Sequence, residues 1–166
     1  GAGNMTKDAL LDLLGWGQAS DSRRGRMTGV TYGSGAKDDP WLLKTPSLTS
    51  QYRAWRDESL TPPALVVEVG STRLSYQLRC LADLEAMLAG HGDWVALGNA
   101  DEGKPTSEGS IEAWARSPDN PVGGYYGLRK GYRGRFANYV TPVLELLGSI
   151  ELEHGPRNNR ARIRAR

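Results

Sequence analysis

The feature that most constrains the fold of this 166-residue chain is the stretch ALVVEVGSTRLSYQLR, which begins at Ala64. In the first half, Val67 and Val69 alternate with Val66 and Glu68. In the second half, apolar and polar side chains alternate from Arg73 to Arg79, and Gly70 and Ser71 separate the halves. Alternation with period two is typical of half-buried strands, and a Gly-Ser pair between two such runs is typical of a tight hairpin turn. The stretch therefore predicts two antiparallel strands, and the fold must contain a sheet.

Further patterns on either side of this hairpin extend the prediction. WLLKTP and SQYRAWRDE are candidate strands separated by a turn, and WVALG is a candidate short strand or connector. CLADLEAMLAGHG has its apolar residues at helical spacing and stops at Gly90 and Gly92. Residues 1–103 are therefore predicted to form an α+β portion, a small mixed or antiparallel sheet with helices.

The first 32 residues give weaker signals. TKDALLDLLGWG, which begins at Thr6, indicates a short amphipathic helix. The Gly-rich segment after it indicates a long loop, in which residues 27–32 are a candidate strand. Residues 1–4, ahead of Met5, are interpreted as a cloning remnant and left out of the fold prediction.

From Lys104 onward the pattern changes to two helices and a hairpin. TSEGSIEAWARSP predicts a helix, and RGRFANYVTPVLELLG predicts a longer helix that ends at Gly148. Pro142 lies inside the longer helix, where it should cause either a kink or the loss of one backbone hydrogen bond. SIELEHGPRNNRARIRAR alternates with period two around a turn at residues 155–159, which predicts a hairpin. The apolar stripe of the longer helix consists of Phe136, Tyr139, Val140, Val143, Leu144 and Leu147.

The order helix, turn, amphipathic helix and hairpin over residues 104–166 resembles the winged-helix fold. The resemblance implies that GLRKGYRGRF leads into a helix that enters the major groove of duplex DNA, with the hairpin as a wing. Arginine pairs bidentately with phosphate or guanine, and asparagine can pair with adenine. The implied DNA contacts are Arg129, Lys130, Arg133 and Arg135 at the helix, and Arg157, Asn158, Asn159, Arg160 and Arg162 on the wing.

The distribution of charge supports an anionic partner for this portion. Residues 1–103 carry 10 Lys/Arg and 13 Asp/Glu, a net charge of −3, whereas residues 104–166 carry 11 and 6, a net charge of +5. A basic excess on one portion is typical of nucleic-acid binding. We therefore predict a DNA-binding protein with a regulatory or chromosome-associated role.

The segment GNADEGKPT, from Gly98 to Thr106, matches the G-x-x-x-x-G-K spacing of a phosphate-binding loop. Such a loop needs a hydroxyl after its lysine, and here Pro105 follows Lys104. The acidic side chains of Asp101 and Glu102 would also repel phosphate. We interpret the segment as the connection between the two portions, with Thr106 or Ser107 capping the next helix.

Two other functions stay open: a protein-interaction winged helix whose N-terminal portion meets the partner, and an enzyme of unknown reaction. Glu151 and Glu153 could pair across the hairpin with its arginines and neutralise them. The single cysteine, Cys80, and the two histidines, His91 and His154, form no cluster for zinc or for nucleophilic catalysis. No catalytic residue, metal or cofactor is therefore predicted.

The sequence also bears on the protein's surroundings. No apolar run approaches the ~18 residues of a membrane helix, and nothing resembles a signal peptide. A cytoplasmic protein with no membrane partner is predicted.

The whole chain resembles a family of small bacterial proteins with no known activity. The resemblance is carried by WLLKTPSLTSQYRAWRDE, HGDWVALGNADEGKP, EAWARSPDNPVGGYYGLRKGYRGRF and EHGPRNNRAR.

Overall fold

The computed structural model describes residues 32–165 of the chain. The predicted helix after Thr6, the remnant at residues 1–4 and the loop and candidate strand up to residue 31 lie outside the described residues. Within residues 32–165 the fold is α+β, with two antiparallel sheets and three helices.

The first sheet has four strands in sequence order, and each pairs antiparallel with the next. The predicted hairpin is confirmed as its last two strands. Val69 pairs with Thr72, so Gly70 and Ser71 form the turn, and Gly70 has the positive φ of 58° that glycine adopts readily. The strands are β1 (Trp41–Lys44), β2 (Gln51–Asp57), β3 (Ala64–Val69) and β4 (Thr72–Gln77).

Strand β3 is buried on both faces of this sheet. Leu65 and Val67 belong to the main hydrophobic core. Trp55, Ala64 and Val66 form a second, small buried cluster. A strand covered on both sides has no need of polar alternation, which explains the continuous apolar run at residues 64–67.

The second sheet has three strands in the order β5-β7-β6, all antiparallel. The hairpin predicted for the tail is confirmed as β6 and β7, and β5 from the first portion of the chain adds a third strand. The remaining elements are α1 (Cys80–His91), β5 (Val95–Ala96), α2 (Ile111–Trp114), α3 (Phe136–Leu146), β6 (Ile150–Leu152) and β7 (Arg160–Ile163).

Helix α3 supplies much of the core, and all six residues of its predicted apolar stripe are buried. Gly148 follows its end with a φ of 80°, as predicted for a C-terminal glycine. Pro142 lies inside the helix, which continues through it as one element. Proline has no N–H, so the carbonyl of Asn138, four residues earlier, receives no bond from it.

The winged-helix arrangement predicted for residues 104–166 is not shown. Helix α2 has only four residues, and residues 115–135 between it and α3 form no helix. Asn120 fixes that segment as a loop: its side chain donates to the carbonyls of Trp114 and Gly124 at 2.7 and 2.9 Å and accepts from Val122 N–H at 3.0 Å. These local hydrogen bonds take the place of the backbone hydrogen bonds that a helix would form.

The main core joins the two portions predicted from the sequence. One cluster of buried side chains runs from Trp41 and Leu43 to Leu152 and Ala161, and β5 pairs with β7 across the division. The division after Gly103 stays a prediction about folding units.

In the described part of the chain, no helix is long and apolar enough to cross a membrane.

Candidate functional site

The loop at residues 98–107 links β5 to α2. The hydroxyl of Thr106 donates to the carbonyl of Gly98 at 2.5 Å, which closes the neck of the loop. Ser110 caps α2 by accepting from the N–H of Ala113 at 3.1 Å. The prediction that Thr106 or Ser107 caps this helix is wrong, because the helix begins later and the Thr106 hydroxyl is used within the loop.

Glu102 in this loop binds four donors from the segment ahead of α3. Its carboxylate accepts from Arg133 Nε and Nη2, both at 2.9 Å, and from the backbone N–H groups of Arg133 at 2.8 Å and Gly131 at 3.1 Å. Hydrogen bonding from the Arg133 side chain is the main cause that lowers the pKa of Glu102 to about 2. At Gly134 the two segments approach so closely that a Cβ would lie 2.2 Å from the Glu102 nitrogen.

Asp101, beside Glu102, pairs with Arg135. The Arg135 N–H also donates to the carbonyl of Ala100 at 2.8 Å, which ties the start of α3 to the loop. The hydrogen bond from Arg135 lowers the pKa of Asp101. Both acidic residues of the loop thus neutralise arginines that were predicted to contact DNA.

The two arginines predicted as contacts on strand β7 are neutralised in the same way. Arg160 pairs with Glu153 at 2.7 Å, and Arg162 pairs with Glu151 at 3.0 Å. Both guanidinium groups also lie over the ring of Trp94, at 5.0 and 4.5 Å from its centroid. Glu151 and Glu153 therefore pair across the hairpin with its arginines, which is the alternative that the sequence left open.

Asn159 has a structural role in the β6–β7 turn. Its side-chain oxygen accepts from the N–H of Gly155 at 2.7 Å, and its side-chain nitrogen donates to the Gly155 carbonyl at 2.9 Å. The residue is 8% exposed. Both amide groups are used inside the turn, and the DNA contact of Asn159 stays a prediction.

Four of the predicted contacts have no carboxylate partner within residues 32–165. Arg129 lies over the ring of Tyr132, 3.9 Å from its centroid, and donates to the carbonyl of Arg73 at 3.0 Å. Lys130, Arg157 and Asn158 are exposed. Arg157 and Asn158 belong to the β6–β7 turn, whereas Arg129 and Lys130 belong to the segment ahead of α3.

That turn forms one wall of an open groove of about 730 Å³. The other walls are the 98–107 loop, helix α3 and the turn between β1 and β2. Three side-chain amides and two further polar groups line it without a hydrogen-bond partner among residues 32–165. These five residues are Asn99, Asn138, Asn158, Ser107 and Arg157.

The sequence placed Arg157 and Asn158 at a binding surface but did not identify Asn99 or Asn138. Asn138 lies in α3 between residues of the apolar stripe, and Asn99 follows β5 in a segment that resembled a phosphate loop. An asparagine inside an otherwise apolar amphipathic helix is a signal that could have drawn attention to Asn138. Nothing local links it to Asn99, which is 39 positions earlier in the chain.

The groove lining contains few ionisable groups. Among the residues that line it, Arg157 is the one ionisable side chain, so no lining carboxylate, imidazole or thiol can exchange a proton. In the described part of the chain, no three His, Cys, Asp or Glu side chains are grouped to hold a metal ion.

Comparison with protein families matches residues 33–165 to DUF6855, a family of unknown function. The chain belongs to DUF6855. The match spans every residue that lines the groove and both partners of each ion pair around it. Searches of curated proteins and of solved structures gave no match to this DUF6855 chain.

Proposed function

We propose that this chain is a binding protein and that its groove holds an extended peptide segment of a partner protein. The observation that carries the proposal is the set of unbonded amides of Asn99, Asn138 and Asn158 on one groove. A side-chain amide offers the same donor and acceptor as a peptide bond, so each can form two hydrogen bonds with an extended main chain. Unbonded amides at a groove are therefore suited to a peptide.

The charge of the groove also favours a peptide. Arg157 is the one charged side chain of the lining. Four other arginines that were predicted to contact DNA do not line the groove and are paired with carboxylates: Arg133, Arg135, Arg160 and Arg162. A nucleic-acid strand brings one negative charge per nucleotide and needs several cations, whereas a peptide main chain is neutral. The volume of about 730 Å³ lies within the range of ligand sites, roughly 300–1,000 Å³.

Selection of random peptides on the immobilised protein, followed by titration of a selected peptide into isotope-labelled protein, tests this function. We expect NMR shifts at Asn99, Asn138 and Asn158. The variant Asn138→Ala with Asn158→Gly should bind about 30- to 1,000-fold more weakly, since it removes two to four hydrogen bonds that each contribute about 1 kcal/mol.

The matched control is Gln77→Ala, which removes an amide in β4 that does not line the groove. It should bind the selected peptide like the parent chain. Shifts confined to another surface, equal binding by the double variant, or failure of any peptide to bind would contradict the proposal.

Duplex DNA is the second candidate partner. It is favoured by Arg129, Lys130 and Arg157, whose positive charges have no carboxylate partner within residues 32–165. The order of α3 followed by the β6–β7 hairpin is the part of the winged-helix resemblance on which this candidate depends. A bacterial, cytoplasmic protein, as the sequence predicts, would have access to chromosomal DNA.

Fluorescence anisotropy of a labelled duplex at low salt tests this candidate. Three phosphate contacts predict that log K falls with log salt with a slope of about −3. Lys130→Glu with Arg157→Glu should abolish binding, while Lys37→Glu, an exposed lysine far from the basic portion in sequence, should not. A duplex that does not bind at low salt, or that binds the double variant equally well, excludes DNA.

A further inference from the structure

His154 lies at the junction of two walls of the groove. Its ring Nδ1 is 2.8 Å from the carbonyl oxygen of Pro46 in the β1–β2 turn, and its Nε2 is 2.6 Å from the Glu145 carboxylate near the end of α3. Ser47, which lines the groove, follows Pro46, and the β6–β7 turn follows His154 directly. One imidazole therefore joins α3, the β1–β2 turn and the hairpin.

This geometry requires a charged ring. The carbonyl of Pro46 and the carboxylate of Glu145 can only accept hydrogen bonds, so both ring nitrogens of His154 must carry a hydrogen to satisfy them. A neutral imidazole has one N–H and can satisfy one acceptor. The contact as observed is therefore that of an imidazolium.

Loss of the proton affects the two bonds differently. A carboxylate is the stronger acceptor, because it bears a full negative charge, so the remaining hydrogen stays on Nε2 and faces Glu145. The bare Nδ1 lone pair of His154 then faces the lone pairs of the Pro46 carbonyl, and the two repel. Deprotonation therefore releases the β1–β2 turn and leaves the contact with α3.

We infer that His154 is a pH-sensitive contact that holds Ser47 at the edge of the groove when protonated and releases it when neutral. The consequence for peptide binding rests on the proposed function, whereas the release of the turn does not. A looser edge changes the shape of the groove, so peptide affinity should differ roughly 2- to 10-fold between the two states, the range of one hydrogen bond.

The groups that face the ring are few. From α3 the titratable group is Glu145, and residues 45–50 of the β1–β2 turn contain no titratable side chain. On its own segment the neighbouring Glu153 is paired with Arg160. Burial acts to lower the pKa of His154, but the hydrogen bonds with Glu145 and Pro46 outweigh it and hold the pKa above its usual range.

NMR titration between about pH 5 and about pH 9, where histidine changes charge, tests this contact without any ligand. The amide resonances of Ser47 and Leu48 should follow the same midpoint as the ring protons of His154. In His154→Gln their pH dependence should vanish. Glu145→Gln keeps an acceptor but removes its charge, so both midpoints should move together to lower pH, a second readout if His154→Gln does not fold.

The other histidine provides the control. His91 is exposed at the end of α1, and His91→Gln should leave the response of Ser47 unchanged. Turn resonances that do not titrate with His154, or that still titrate in His154→Gln, would overturn the inference.

Peptide affinity is then measured at both ends of the titration. A turn that titrates in a protein that binds no peptide would support the pH-sensitive contact and contradict the proposed function.

Discussion

Glu112 connects two helices through one buried carboxylate. It is 1% exposed, pairs with Arg116 at 3.1 Å, and accepts from the N–H groups of Phe136 and Ala137 at the start of α3, at 3.2 and 2.9 Å. These bonds satisfy N–H groups that a helix leaves unpaired at its first turn. Burial raises the pKa of Glu112 against the opposing effect of the hydrogen bonds from Ala137 and Arg116.

Glu112→Gln should lower the free energy of unfolding by about 3 kcal/mol, because it leaves Arg116 without its buried partner and turns an NH₂ group toward other donors. Urea denaturation measures the loss. Glu108→Gln, which changes an exposed residue of the same segment, should stay within about 0.5 kcal/mol of the parent chain. Equal losses in the two variants would show that the buried pair contributes little.

The pairing of Glu102 with Arg133 predicts a dependence of stability on pH. The pKa of Glu102 is about 2 in the folded chain and about 4.3 in an unfolded one. Its contribution is therefore present above about pH 4.3 and is lost as the pH falls toward about 2. The side chain is 16% exposed, so salt should screen the pair only partly.

Urea denaturation at several pH values tests this expectation. The parent chain should be more stable than Glu102→Gln near neutral pH, and the difference should shrink through that acidic window. A double-mutant cycle with Arg133→Gln isolates the pair from other carboxyl groups. A coupling energy that does not fall with pH would contradict the assignment.

Among the elements, the β6–β7 hairpin depends on its turn as much as on its strands. Asn159 holds the turn closed through Gly155, while Asn158 has a positive φ of 57° and a free side chain. The hairpin thus places a structural asparagine and a groove asparagine side by side. Their neighbouring positions allow stability and binding to be separated.

Asn159→Ala should destabilise the chain by about 1–3 kcal/mol, since the Gly155 N–H and carbonyl lose their partners. Asn158→Gly should leave stability within about 0.5 kcal/mol, because glycine adopts the positive φ without strain. Thermal unfolding compares them. A stability loss in Asn158→Gly equal to that in Asn159→Ala would show that the two asparagines do not differ in this way.

At the scale of the whole molecule, the two portions share one core and one sheet. Buried side chains of β1–β4 and α1 lie in the same cluster as those of α3, β6 and β7. Tyr52 of β2 donates from its hydroxyl to the carbonyl of Tyr139 in α3 at 2.8 Å. The hydroxyl of Tyr76 in β4 donates to the carbonyl of Gly134 at 2.7 Å. These bonds join residues that are far apart in the chain.

A fragment of residues 104–166 should therefore not fold alone, because it lacks β5 and the opposite side of its core. The whole chain should unfold in one transition, with coincident midpoints by circular dichroism and tryptophan fluorescence. A fragment with a cooperative transition of its own would instead support two folding units divided after Gly103.

The elements that could be predicted from the sequence are those with local periodicity. The β3–β4 hairpin, the β6–β7 hairpin, and helices α1 and α3 follow from spacing of two or 3.6 residues and from glycines at their ends. Helix α2 was predicted too long, because Thr106 serves the loop and Asn120 binds backbone groups that a longer helix would pair. Competing hydrogen bonds of this kind leave no periodic signal.

The sequence identified only some of the residues that line the groove. Arg157 and Asn158 do line a groove, but the groove also needs Asn99 and Asn138, which only folding brings near them. Residues 104–166 do contain more basic than acidic side chains. However, Asp101 and Glu102 lie just outside that range and neutralise Arg135 and Arg133. Net charge by sequence segment cannot show such pairing, because its partners are 31 and 34 positions apart.

The sequence by itself determined the α+β class, the two hairpins, the amphipathic α3 and the interpretation of GNADEGKPT as a connecting loop. Each depends on neighbours within a few residues, where backbone geometry and side-chain type act directly. Only the tertiary structure decided that this loop's carboxylates neutralise the basic segment, that β5 joins the tail hairpin, and that three asparagines with unbonded side-chain amides meet on one groove. Those features depend on contacts between distant residues, and such contacts form only when the shared core is packed.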